Sequence, residues 1–131
     1  MSNAVFNQND RAAEILSQVR DQFGISFTET MTGGGCMALE ARLESGHWIV
    51  AVDECLMGFV ARIAAESVTD NYNSHYSDDH RAMGWSVGIY DDNDGTWMGQ
   101  EDSLVDVVDY DAYADALPDV VARALEALTR V

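Results

Sequence analysis

Apolar residues recur at helical spacing near the start of the chain: Ala12, Ile15, Leu16, Val19 and Phe23. That period predicts an amphipathic helix, with Asn9 or Asp10 available as its cap and Gly24 placed to end it. The pattern then changes. "ISFTET" alternates Ile25 and Phe27 with Ser26 and Thr28, and "CMALEARL" sets Met37, Leu39, Ala41 and Leu43 against Glu40, Arg42 and Glu44. Both read as strands of an antiparallel sheet with one covered side. "ESGH" reads as a short hairpin connection using Gly46, and "HWIVAVD" as the next strand, with Trp48, Val50 and Val52 expected on its core face.

Beyond residue 53 the pattern weakens. Residues 54–66 fit a helix through Leu56, Phe59, Val60 and Ile63, although the middle could also be a strand. Residues 67–82 are polar without a period and read as a long loop. "MGWSVGIY" restores the strand alternation through Trp85, Val87 and Ile89. "DDNDG" is a turn signal, with "TWMGQ" as a short returning strand. Pro118 suits the first turn of a last helix striped by Val121, Leu125 and Leu128. The expected architecture is α+β: one domain over 1–131, with a small antiparallel sheet of four to five strands. An N-terminal and a C-terminal helix flank one face. Residues 1–8 are expected to fray.

Composition changes this picture in one respect. The chain is 131 residues with a formal net charge of −16, beyond what solubility asks of a small domain. All seven of its cations are arginine. The absence of lysine excludes a phosphate-loop lysine, a Schiff base and a lysine general base. Between Arg81 and Arg123 there is no arginine, while acids accumulate: Asp91, Asp92, Asp94, Glu101, Asp102, Asp106, Asp109, Asp111, Asp115 and Asp119. Leu104, Val105, Val107, Val108, Tyr110 and Tyr113 are interleaved with them, which points to a folded, acid-faced segment and not to disorder. If helical, Asp111, Asp115 and Asp119 would form a column of charges about 6 Å apart.

Candidate chemistry is sparse. "TGGGC" (residues 32–36) lacks a following helix and a nearby lysine, so a turn between strands is preferred to a phosphate cradle. Cys36 and Cys55 match no zinc spacing and read as free buried thiols. Aligning Gly95 with the invariant glycine of a calcium loop puts Asp92, Asp94 and Glu101 at ligand positions. Tyr90 then falls where an aspartate is required, and the reading fails. His75 and His80 are five apart and miss the one-face spacing of a helical metal pair. No cofactor or metal is expected, and no apolar run is long enough to span a bilayer. The expected compartment is the cytoplasm.

The segments "GGGCMALEARL", "GHWIVAVD", "GWSVGIYDDNDG" and "LPDVVARALEAL" resemble those of small acidic proteins found in actinobacteria and their phages. The resemblance covers the strands and the last helix and implies no particular activity, so no functional residue is carried over from it.

Three functional readings follow. The first is a non-enzymatic acidic binding protein, of the kind a phage inhibitor or anti-defence factor would be. It would occupy a basic, nucleic-acid-binding surface of a partner, its carboxylates standing in for phosphates. The ten acids from Asp91 to Asp119 would supply the charge, and Tyr90, Trp97, Tyr110 and Tyr113 the apolar anchors. Such a protein would not itself bind nucleic acid or membrane. The second reading is a generic interaction module or homodimer using an open sheet face of His47, Ile49, Ala51 and Tyr90. The third is a thiol-dependent enzyme using Cys36 and a histidine.

Overall fold

The computed structural model describes residues 8–33, 36–52, 59, 63, 84–100 and 102–131. Helix α1 spans Gln8–Phe23, and five strands follow: β1 (Thr28–Gly33), β2 (Cys36–Arg42), β3 (Trp48–Val52), β4 (Trp85–Tyr90) and β5 (Val105–Asp109). A 3-10 turn, Ala114–Ala116, leads into helix α2, Leu117–Leu128. The strands form one antiparallel sheet in the order β1-β2-β3-β4-β5, each paired with its sequence neighbour. This is the expected α+β fold. Among the described residues no helix is long and apolar enough to cross a membrane.

The register decides which side chains face the helices. Leu39 pairs with Ala51 and Ala41 with Ile49, and these meet Val87 and Ile89 of β4. Val107 and Val105 of β5 continue the same rows. Ile15 and Val19 of α1, and Leu117, Val120, Val121 and Ala124 of α2, are buried with these residues in one core. Helix α2 packs on β4 and β5, and α1 packs on α2. Trp85 anchors one end of the core: its ring stands edge-on to Phe59 at 5.7 Å, and its indole N–H donates to the Tyr113 carbonyl at 3.0 Å. Phe59 and Ile63 are both helical and buried, four residues apart as one helix face requires.

Turn chemistry explains most of the boundaries. Gly24 has φ 71° and donates its N–H to the Arg20 carbonyl at 2.8 Å, which closes α1 as expected. The β2–β3 connection is tied by Leu43 N–H to His47 carbonyl at 2.8 Å, with Gly46 at φ 94°. Gly33 at the end of β1 pairs with Cys36 at the start of β2, and Gly34 and Gly35 between them lie outside the described residues. Gly84 is fixed by close approach instead. A Cβ there would sit 1.7 Å from the Asp109 carbonyl oxygen, so β4 can begin against the end of β5 only without a side chain.

Several expectations are corrected. Asn9 and Asp10 lie inside α1 and do not cap it. Strand β1 starts at Thr28, with Ile25 and Phe27 buried ahead of it. Trp48, Val50 and Val52 are not on the core face: Trp48 pairs with Tyr90 and Val50 with Gly88, on the side away from the helices. Ile49 and Ala51 fill the core and are fully buried. The homodimer face of His47, Ile49, Ala51 and Tyr90 therefore does not exist as one surface. The fifth strand is Val105–Asp109, while "TWMGQ" forms only an isolated bridge and turns. The loop at 67–82, Cys55, His75, His80, Glu101, most of 54–66, and the chain before Gln8 lie outside the described residues.

Candidate protein-docking surface

The chain leaving β4 folds back across the sheet face opposite the helices. Asn93 and Thr96 bridge, with the Asn93 N–H donating to the Thr96 carbonyl at 2.7 Å. Asp94 and Gly95 between them have φ 53° and 90°, the two positive values that a tight Asp-Gly hairpin turn demands. Asp92 accepts the Gly95 N–H at 3.4 Å, and Asn93 Nδ2 donates to the Met98 carbonyl at 3.2 Å. Gln100 Nε2 donates to the carbonyls of Asp91 and Trp97.

This loop is clipped to the sheet by aromatic side chains. Trp97 lies 5.3 Å from the Tyr90 ring, and its indole N–H donates to Glu40 on β2 at 2.7 Å. Trp48 donates its indole N–H to Asp92 at 2.8 Å, while Arg42 sits 5.1 Å over the Trp48 ring and 3.0 Å from Asp92. The Trp48 hydrogen bond is the largest of the effects holding the Asp92 carboxyl below the ordinary carboxylate range, with Gly95 N–H and Arg42 adding to it. Both indole donors of this cluster are thus engaged within the protein. Its chemistry is that of a structural clip.

A second set of exposed residues lies along β5 and on either side of it in sequence. Asp106 projects on the clipped side, opposite Gly88, and accepts from Ser86 Oγ at 3.2 Å. Burial and the Asp106 charge together push the Tyr90 phenol above its ordinary value. Four of the six exposed large hydrophobics of the described chain lie here: Leu104 (37% exposed), Val108 (42%), Tyr110 (58%) and Tyr113 (56%). Asp102, Asp106 and Asp111 are exposed among them.

The predicted anionic residues do not form one stripe. Asp91, Asp92 and Asp94 belong to the clipped loop, with Asp91 3.7 Å from His47. Asp109 accepts from Arg123 at 2.6 Å, and that hydrogen bond is the main cause of its lowered pKa. Arg123 also reaches Asp119 at 3.2 Å, and Arg11 of α1 reaches Asp115 at 3.2 Å. The Asp111, Asp115 and Asp119 column is absent, because the three occupy a turn, a 3-10 turn and α2 respectively. The stretch without arginine in sequence is therefore partly neutralised in space by Arg11, Arg42 and Arg123. What remains without an arginine partner among the described residues is Asp91, Asp94, Asp102, Asp106 and Asp111.

Of the four aromatics read as apolar anchors, Tyr110 and Tyr113 are exposed, whereas Tyr90 and Trp97 pack against each other in the clip. Sequence reasoning missed Leu104 and Val108 as surface residues, and Glu40, Arg42 and Trp48 as the clip. The Asp-Gly turn was a signal that the chain reverses after Asp92, but nothing local announced a bond to β2. No protein-family model matches this chain, and neither does any curated protein or solved structure.

Proposed function

We propose that this chain is a non-enzymatic acidic docking protein, and that its β5 flank occupies a basic, nucleic-acid-binding surface of a partner protein. One observation carries the reading: exposed Leu104, Val108, Tyr110 and Tyr113 are gathered within a dozen residues of chain with Asp102, Asp106 and Asp111. Exposed apolar residues interspersed along the chain with acids that have no arginine partner among the described residues are what a complementary cationic surface would engage, the anchors supplying affinity and the charges approach and selection. The five arginines among the described residues all meet carboxylates of the chain itself. They are committed internally, and the net charge of −16 opposes an anionic ligand.

The test is retention of proteins from a host lysate on the immobilised chain, followed by elution with duplex DNA. A basic nucleic-acid-binding protein should be retained at low salt, displaced by DNA or by high salt, and lost by an Asp102→Asn, Asp106→Asn, Asp111→Asn triple variant. Retention indifferent to salt, to DNA and to the triple variant would remove the basis for the reading.

A further inference from the structure

The two edges of the sheet are built differently. At β1 the pairing with β2 shifts between Met31 and Gly33, an irregularity that bends an edge and spoils it as a template. At β5 the pairing with β4 runs through five consecutive residue pairs without a shift. The strand reads "VDVVD", with neither proline nor lysine to protect it, and α2 packs behind it as a rigid backing. No described strand lies beyond it. An edge of this kind offers alternate backbone N–H and C=O groups for pairing with another chain.

The side chains say which chain. A second β5 paired antiparallel over its full length would set Asp106 opposite Val108, leaving the two Asp106 carboxylates as diagonal neighbours on one face, and it would bring together two chains that each carry a net charge of −16. An extended segment alternating arginine or lysine with apolar residues would instead place cations on the face of Asp106 and apolar residues on the face of Val105 and Val107. We infer that β5 is a docking strand for an extended basic segment of the partner, which adds to the sheet as a sixth strand. This rests on the acidic-docking reading and specifies how that docking occurs: backbone hydrogen bonds supply affinity, and alternate side chains supply selection.

The experiment uses the full chain and two short peptides of equal charge. One alternates Arg with Val. The other replaces alternate valines with Pro, which removes backbone donors and keeps the charge. Affinity by calorimetry and amide exchange by NMR are the readouts. The alternating peptide should bind about tenfold tighter, a difference of about 1.4 kcal/mol, and should slow exchange of alternate amides in β5. Equal binding of both peptides, with β5 exchange unchanged, overturns strand addition and leaves acidic docking standing. Failure of both peptides to bind overturns both. A chain that sediments alone as a dimer with its β5 amides already protected also overturns the inference, since a second copy then holds the edge.

Discussion

The two faces of the sheet are secured by different physics. Toward the helices, Leu39, Ile49, Ala51, Val87 and Ile89 are removed from water by apolar packing, which is strong and undirected. On the other face Trp48, Tyr90 and Trp97 keep part of their surface in solvent and are held through directed contacts to Asp92, Arg42 and Glu40. The first arrangement tolerates any residue of suitable volume. The second depends on particular atoms lying at particular positions, and it holds down a loop instead of completing a core. Stability should therefore reside on one face, and the shape of the surface on the other.

The largest effect should come from the packed face. Ile49→Ala should cost about 3 kcal/mol, as buried aliphatic truncations do, read from the denaturant midpoint. Trp97→Ala should cost less, about 2 kcal/mol, from roughly 100 Å² of apolar surface lost at one half-buried indole. It should also speed amide exchange within 91–100 while exchange in β3 stays unchanged. An equal loss from both substitutions, or exchange rising across the sheet, would break the distinction between the faces.

Two smaller effects read the faces separately, because Asp109 and Asp106 lie on opposite sides of β5. Asp109 has a lowered pKa through Arg123, so the stability it contributes is complete above the ordinary carboxylate value of about 3.9 and vanishes as pH falls through its lower folded value. Arg123→Ala should return Asp109 toward that ordinary value. The stability gap between parent and variant should then be constant near neutrality and close as the solution is acidified; a gap that persists at the lowest pH would assign Arg123 a role in packing instead. On the other face, burial and Asp106 both raise the Tyr90 phenol. Asp106→Asn should move the Tyr90 ionisation to lower pH in an alkaline spectrophotometric titration, and no movement would mean that burial alone sets it.

The same contrast explains what could be read from the residues. Helix α1 was legible because Ile15 and Val19 recur at a period no strand shares, and Gly24 marks the stop. Strands β2 and β4 were legible because polar residues alternate with large apolar ones. Strand β3 misled, since both of its parities are apolar and the bulkier set, Trp48, Val50 and Val52, faces away from the helices. The register with β2 makes the choice, and register is a long-range property. Strand β5 was obscured by adjacent Val107 and Val108, which break the alternation. The clip was invisible for a plainer reason: Trp97 and Glu40 are 57 residues apart, and nothing near either one names the other. Of the candidate docking surface, the charge and the two exposed tyrosines were legible, whereas the arginines that cancel part of that charge approach from α1, β2 and α2.

Neighbour-to-neighbour pairing from β1 to β5 lets the sheet assemble progressively as the polypeptide emerges during synthesis. Helix α1 emerges earliest among the described elements, yet it docks on α2, which emerges last. Its apolar stripe cannot be fully covered until the entire sheet has been made. A nascent chain stalled before Leu117 would carry finished strands with the flank of β4 and β5 still bare, a species suited to chaperone capture or aggregation.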